Sequence, residues 1–481
     1  MNRVRVAPAV ERIGILIIFG VAVAARLLAA RGMCYWEDDL GTINQARRWE
    51  TLADLLRPNA ADWHPPLTWV FARAWMAVTG LSGLPGEELA MRLPFCVAGA
   101  LAAPLAWAIA RRVGLATIAA LGTGVAVAVA PLLLWVDRDI RGYALLTPLV
   151  LASHLFLLRT LAEKRHREGC TWAVLAALAM WTHYVAIPIG AAQGLVLLLR
   201  FRSARPFAWG ALALVLYAPW LPALREHLTS LPLGSHQAEV QVNVPPIVLT
   251  SPAYALFGLV LGHATFPWRF EVVVPIGLAC AALVVAAAVR ARREGTWMPL
   301  VFGVVVPVVL AAASPLRMPR YHVAACPMLM IALAQGASEM WERKRWLGVG
   351  LAVVVGLGIA RSDVNLGMGR EYHFLYPLRP WDEIAKRVTA PVAWRGPGSD
   401  VADHYLGAAV PEDASWLGFL THERGLWIGA SAPESCYAAR GAGSNVVFID
   451  PDHDLVAVVR WINKASLDGF VKLLVESVRS A

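Results

Sequence analysis

Charged side chains are scarce in this chain. Asp, Glu, Lys and Arg make up 16% of its 481 residues, against about 25% in an ordinary soluble domain. Hydrophobic residues reach 58% and the mean hydropathy is +0.55. Together these values exclude a soluble globular class and leave a polytopic membrane protein. Cysteine is also sparse. The 6 cysteines, at positions 34, 96, 170, 280, 326 and 436, show neither metal-ligand spacing nor an evident pairing, which argues against a zinc module or a disulfide scaffold. Only Cys34 and Cys436 fall in segments expected on the outer side. Acids are fewer than bases, 34 against 43, giving a formal net charge of +9. In a soluble chain that excess would suggest nucleic acid. Here the bases form short clusters between apolar runs, the pattern of cytoplasmic loops, and no nucleic-acid partner is expected.

The bases set the topology, because a span needs about 20 apolar residues. Arg3, Arg5 and Arg12 precede an apolar run from Ile13 to Ala30 that is too long for a signal-peptide core and has no clear cleavage site, so it reads as a retained first span with a cytoplasmic N-terminus. The run Leu93–Ala110 ends at Arg111-Arg112 on the cytoplasmic side. The loop before it therefore lies outside, and Leu67–Gly80 reads as a helix in the outer interface, with Pro-Pro at its start. Leu115–Val136 leads out to Asp137-Arg138-Asp139-Ile140-Arg141, and Tyr143–Leu161 returns to Lys164-Arg165-His166-Arg167. Two short, broken spans are expected between Trp172 and Leu199, turning near His183-Tyr184 on the outer side, where irregular backbone needs protein or a polar cavity around it. Spans at about 207–223 and 272–289 enclose another outer loop, in which Ala253–Phe266 is interfacial or re-entrant. Met298–Ala313, Tyr321–Ser338 and Leu347–Ala360 complete about eleven spans. The multi-pass chain would lie in the inner, cytoplasmic membrane with its C-terminal region outside.

This topology gathers the unusual polar residues at one membrane face. Three consecutive carboxylates, Glu37-Asp38-Asp39, sit beside the bilayer, where they repel one another and cost solvation; they suit a site that needs a proton acceptor or a metal. Asp62, His64, Asp139, Arg141, His183 and Arg320 share their level. The two arginines supply planar forks suited to a phosphate or pyrophosphate, so a phosphorylated lipid fits both the chemistry and the setting. Each residue alone has a plainer reading. An arginine near a span end snorkels to headgroups, Asp139 can pair with Arg138 or Arg141, and Tyr143 and Tyr321 can serve an aromatic belt. His183 can be a hydrogen-bonded structural residue.

Five motifs occur in order: Trp36-Glu37-Asp38-Asp39-Leu40, His64-Pro65-Pro66-Leu67, Asp139-Ile140-Arg141-Gly142-Tyr143-Ala144-Leu145, Trp181-Thr182-His183-Tyr184 and Pro319-Arg320-Tyr321. Over roughly residues 10–390 the set resembles the C-type (GT-C) membrane glycosyltransferases, specifically bacterial relatives of protein O-mannosyltransferases and of lipid A aminoarabinose transferases. The resemblance implies a polyprenyl-phosphate-linked sugar donor and transfer outside the cytoplasm with inversion. The acceptor would be a hydroxyl of a glycolipid, glycan or protein. It implies that Asp38 is the base. Asp39 stands where the family usually has Glu, and with Glu37 or His64 it would position the acceptor or bind a divalent metal ion. Arg141 and Arg320 would hold the departing lipid phosphate, with His64, Asp139, Tyr143, His183 and Tyr321 completing the substrate-binding set. Membrane lipids and the polyprenyl tail would occupy the apolar surface between spans.

The expected fold is an all-α polytopic membrane protein with about eleven transmembrane helices of GT-C type and a small α/β extracytoplasmic C-terminal segment. The membrane domain would span 1–390, with 31–91 as its first external loop carrying interfacial helices, and the soluble tail 391–481. In the tail, Val446–Trp461 reads as two β-rich runs joined by a polar turn, before a helical pattern from Leu467 to Val478. With Arg440-Gly441-Ala442-Gly443 this stretch resembles the end of serine hydrolases related to class C β-lactamases. The Ser-x-x-Lys and Tyr-x-Asn elements of that family are absent, so the tail reads as noncatalytic. The rival from another class is a transporter or flippase of lipid-linked sugars. Transporters show repeat symmetry and polar groups near the midplane, whereas here no inverted repeat is clear and the acids cluster at one face.

Overall fold

The computed structural model describes residues 8–57, 64–230, 250–313, 318–368, 370, 437–441, 445–450, 453, 455–459, 470, 472–474, 476 and 477. Among them, eight helices are long and apolar enough to cross a membrane: Ala9–Ala30, Glu88–Arg112, Thr117–Val136, Tyr143–Glu163, Arg205–Thr229, Phe270–Glu294, Pro319–Arg343 and Arg345–Met368. Shorter apolar helices cover Ala186–Arg200, Ser251–Leu261 and Met298–Ala313. The chain is thus an all-α polytopic membrane protein with a small sheet near its end. The first eleven α-helices among the described residues are α1 (Pro8–Ala30), α2 (Glu37–Arg48), α3 (Leu52–Leu56), α4 (Leu67–Thr79), α5 (Glu88–Ala100), α6 (Ala102–Arg112), α7 (Thr117–Ala128), α8 (Pro131–Val136), α9 (Tyr143–Glu163), α10 (His166–Met180) and α11 (Ala186–Arg200).

Burial separates the centre of the bundle from its rim. The span Pro319–Arg343 is 78% buried, whereas Ala9–Ala30 is 22% buried and exposes Ile13, Leu16, Ile17 and Leu28. Such an apolar row would be a liability in water; against lipid chains it meets a solvent of its own kind.

Proline explains where expected spans depart from simple helices. The run Leu115–Val136 is two helices, α7 and α8, because Pro131 has no N–H and holds Ala130 in an extended conformation (φ −63°, ψ 121°). The expected span Tyr321–Ser338 begins as a 3-10 turn over Pro319–Ala325 and becomes α-helical at Cys326–Arg343, with Pro327 in the first turn. Met298–Ala313 contains a π turn at Val301–Val305, just ahead of Pro307.

One end of the bundle gathers paired charges. Arg111 meets Glu11 at 3.1 Å and Arg112 meets Glu163 at 2.7 Å. Arg290 and Arg293 bind Glu294 and Glu342, and Glu339 joins Arg293 to Arg343. These are the helix ends that the charge pattern groups on one side, and the turns at 137–142, 181–185 and 318–321 cap the opposite ends of the same bundle.

By compactness the chain divides into two units. Met1–Gly32, Gly41–Leu231 and Pro246–Tyr376 form one; Met33–Leu40, Pro232–Pro245 and Pro377–Ala481 form the other. The first holds the helical bundle. In the second, β1 (Tyr437–Gly441), β2 (Asn445–Asp450) and β3 (Leu455–Val459) make an antiparallel sheet in that order. The sequence marks β2 and β3, and β1 pairs with the edge of β2 that they leave open, Ala439 opposite Val447. Asp450, buried at the end of β2, accepts a hydrogen bond from His453 Nδ1 at 2.7 Å within the polar turn. Positions 470, 472–474, 476 and 477 are helical, inside the expected helix. The expected boundary at 390/391 lies outside the described residues.

Candidate active site

The His64-Pro65-Pro66-Leu67 motif works through what it lacks. Neither proline carries an N–H, so Leu67 has the first backbone donor after His64, and it donates to the Trp181 carbonyl at 3.0 Å. Trp181 caps the end of α10, so this bond ties the start of α4 to the Trp181-Thr182-His183-Tyr184 turn between α10 and α11. Within that turn, Thr182 Oγ1 donates to the Ala179 carbonyl at 2.6 Å. The Val185 N–H donates to His183 Nδ1 at 3.2 Å, which in the neutral ring puts the proton on Nε2.

His183 is the hub of an aromatic cluster. Its buried ring lies 5.3 Å from the ring of His64, 5.1 Å from Tyr143 and 6.1 Å from Tyr321. Residues from four separate stretches of chain therefore meet at one point. Arg320, half-buried at the start of the 3-10 turn, places its guanidinium carbon 5.4 Å from the Tyr321 ring centre. Tyr184 faces the other way. Trp220 Nε1 can only donate and does so to Tyr184 Oη at 3.0 Å, and the same phenol oxygen shares a hydrogen bond of 2.7 Å with His227 Nδ1.

The segment 137–142, between α8 and α9, brings Asp139 and Arg141 to Tyr143, the first residue of α9. Asp137, Arg138 and Asp139 are all buried. Arg138 Nη1 donates to the Ala29 carbonyl at 3.0 Å, and Arg141 Nη1 lies 3.4 Å from Thr42 Oγ1 on α2. Gly142 completes the junction. A Cβ there would lie 2.8 Å from the Thr182 carbonyl oxygen and 2.9 Å from Thr68 Oγ1, so only glycine lets this turn seat between α4 and the α10–α11 turn.

The structure thus brings His64, Tyr143, His183 and Tyr321 together, with Arg320 beside Tyr321 and with Asp139 and Arg141 just ahead of Tyr143. Asp38 and Asp39 sit in the first turn of α2, within the second compact unit. Asp39 is buried and its carboxylate accepts from the Trp36 N–H at 3.4 Å, the reach of an N3 acid back to the N-cap of its own helix. Asp62 lies outside the described residues. Asp39 and His64, the expected divalent-metal ligands, fall in different units, and among the described residues no three His, Cys, Asp or Glu side chains gather as a metal ion would need. Arg26, Thr68 and Asp137 are additions that the motifs do not announce, and Gly142, though inside a motif, is not among the expected site residues. Arg26 had one visible signal, a cation alone within an apolar run.

A family model described as dolichyl-phosphate-mannose-protein mannosyltransferase matches residues 63–222, the segment that carries the His64, Gly142 and His183 motifs. The fold is similar to that of ArnT from Cupriavidus metallidurans bound to undecaprenyl phosphate, with a TM-score of 0.52 and 17% identity over 81% of this chain and 84% of that one. The apo form of the same protein gives 0.52 and 16% over 83% and 85%. The Archaeoglobus fulgidus oligosaccharyltransferase tethered with an acceptor peptide gives 0.49 and 12% over 86% of this chain and 61% of that one. No curated protein sequence is a significant match. The architecture of this chain is that of the C-type membrane glycosyltransferases, the family that its ordered motifs resemble.

Proposed function

We propose that this protein is a membrane glycosyltransferase that moves a sugar from a polyprenyl-phosphate donor to a hydroxyl of an extracytoplasmic glycolipid, glycan or protein, with inversion. The observation that carries the reading is the convergence of four motif segments on His183 at one end of the bundle, with Arg320 and Arg141 close by in the chain. The similar ArnT structure holds undecaprenyl phosphate, which supports a polyprenyl phosphate as the product lipid here. In the proposed reaction the acceptor oxygen bonds to the anomeric carbon from the face opposite the phosphate. The bond from that carbon to the phosphate oxygen breaks, and its electron pair leaves with the lipid phosphate.

Asp38 takes the acceptor's proton, a role of roughly 10²–10⁴-fold for a positioned base. Asp39 orients the acceptor through the first turn of α2. Arg141 and Arg320 meet the charge that grows on the leaving phosphate, where fixed donors count most. His64, Asp139, Tyr143, His183 and Tyr321 shape the pocket for the sugar and its phosphate, and no step is routed through a metal ion. The N-terminus and the paired-charge end face the cytoplasm of the inner membrane, and the His183 cluster faces outward.

The test compares two substitutions in the purified, membrane-reconstituted protein. Asp38→Asn should lower transfer by at least about 10²-fold while leaving undecaprenyl-phosphate binding intact; Arg320→Ala should weaken that binding. Near-native transfer by Asp38→Asn would move the base elsewhere, and failure of the wild-type protein to bind undecaprenyl phosphate would defeat the reading as a whole.

A further inference from the structure

Arg26 is fully buried within the first span, and its contacts account for its presence there. Its Nε and Nη2 both lie 2.8 Å from Asp137 Oδ2, and its Nη1 donates to the Ala22 and Ala128 carbonyls, each at 3.1 Å. The second carbonyl belongs to the break before Pro131. Ala128 ends α7, and the interruption of the helix leaves its oxygen without the partner that a continuous helix would provide. One guanidinium therefore fills the break in the α7–α8 span and holds the carboxylate that follows it.

Gly99 on α5 makes room for this arrangement, since a Cβ there would lie 2.5 Å from the Asp137 carboxyl carbon. Asp137 opens the six-residue irregular stretch that carries Asp139 and Arg141. That stretch is buried, so its course depends on the groups that fix it. Arg138 binds the Ala29 carbonyl three residues beyond Arg26, and Gly142 is wedged at the far end. Moving the Asp137 anchor would swing Asp139, two residues on, and Arg141, four residues on.

We infer that Arg26, acting through Asp137, is a positioning residue that sets the placement of Asp139 and Arg141 in the transfer site. The inference rests on the proposed glycosyl transfer. A buried ion pair replaced by apolar side chains of similar size often leaves stability unchanged or improved, whereas removing one partner does not. The double variant Arg26→Met/Asp137→Leu therefore removes the anchor with the least risk to folding. Gly99→Ala offers a second route, because it leaves both charges in place and presses a methyl group onto the carboxylate.

The experiment measures undecaprenyl-phosphate affinity and thermal unfolding for the full-length protein in nanodiscs. The set comprises wild type, Arg141→Ala, the Arg26→Met/Asp137→Leu pair, Gly99→Ala, and each of the last two combined with Arg141→Ala. If Arg26 positions Arg141, the anchor variants bind about tenfold more weakly, the scale of one charged hydrogen bond. Adding Arg141→Ala to them then costs less than it does in wild type, because the side chain is already misplaced. A folded anchor variant that binds as wild type overturns the inference, as do losses that simply add. If the double variant fails to fold, Gly99→Ala decides the matter on the same two readouts. If wild type itself does not bind undecaprenyl phosphate, the transfer reading and this inference fall together; wild-type binding with additive losses defeats the inference alone.

Discussion

Gly142→Ala isolates the fit between three motifs in a single methyl group. The backbone at Gly142 is right-handed helical (φ −59°, ψ −19°), so alanine can adopt it without strain. By itself the change would stabilise by about 0.4–1 kcal/mol, because alanine has fewer unfolded conformations to lose. Packing opposes it. The new Cβ would lie 2.8 Å from the Thr182 carbonyl oxygen and 2.9 Å from Thr68 Oγ1. Thr182 is held from its side chain by the bond to Ala179 and by its neighbour's bond from Leu67, so its carbonyl cannot swing aside cheaply. Thr68 Oγ1 has no hydrogen-bond partner among the described residues, so its side chain yields more easily.

Overpacking of this kind costs about 1–3 kcal/mol, which outweighs the gain in the unfolded state and leaves a net loss of roughly 1–2 kcal/mol. For a protein of this size that is a fall of about 1–2 °C in Tm. The functional loss should exceed the stability loss, because the displaced turn carries Arg141 at one end and Tyr143 at the other. The assay pairs thermal unfolding in nanodiscs with undecaprenyl-phosphate binding. Adding Thr68→Ala should recover part of both, since it relieves one of the two close contacts and breaks no hydrogen bond. Unchanged Tm and unchanged binding in Gly142→Ala would show that the turn is not seated against Thr182 and Thr68, and the account of how the motifs meet would be wrong.

Two further outcomes are expected. Tyr184→Phe removes the oxygen that links Trp220 to His227 and leaves two buried groups short of a partner, so it should destabilise by about 1–3 kcal/mol, read as a lower Tm, with undecaprenyl-phosphate affinity falling less than in Arg320→Ala. Reporter fusions placed after Arg112 and within Lys164–Arg167 should report the cytoplasm, and fusions after Gly86 or Val446 the other side; a cytoplasmic signal after Val446 would break the parity on which the orientation rests.

The helices were legible wherever composition alone decides them. Long apolar runs closed by Arg111-Arg112 or by Lys164–Arg167 reappear as helices with paired charges at those ends, because the bilayer tolerates little else. Motif order was legible too, and so was the short helix after Pro65-Pro66. Hidden from sequence was every feature fixed by a partner far along the chain. Arg26 and Asp137 are 111 residues apart, and nothing local to either names the other. The α7–α8 break could be suspected from Pro131, but its repair by Arg26 could not. Asp137 sits two residues before Asp139 in the same polar run, and there sequence reading favoured the residue inside the recognisable motif over the buried anchor beside it.

Asp39 shows why a cluster of acids is harder to read than a cluster of arginines. Its position three residues into α2 lets it reach the Trp36 N–H, so part of its presence is explained by starting a helix. That local role does not compete with a chemical one. A carboxylate held by its own helix N-terminus is kept in a fixed direction, which suits a group that orients an acceptor hydroxyl. Asp38, next to it on the same turn, is partly exposed rather than buried. The proposed division of labour between the two acids draws on that contrast: the buried, capped acid would hold a geometry, and the more accessible one would exchange the proton. Exchanging the two properties should therefore exchange the phenotypes. Asp39→Asn, which can still accept from Trp36, should retain more transfer than Asp38→Asn, whereas Asp39→Ala should lose both the cap and the orientation and fall toward the level of Asp38→Asn. Equal transfer by Asp39→Asn and Asp39→Ala would mean that the cap contributes nothing to the reaction.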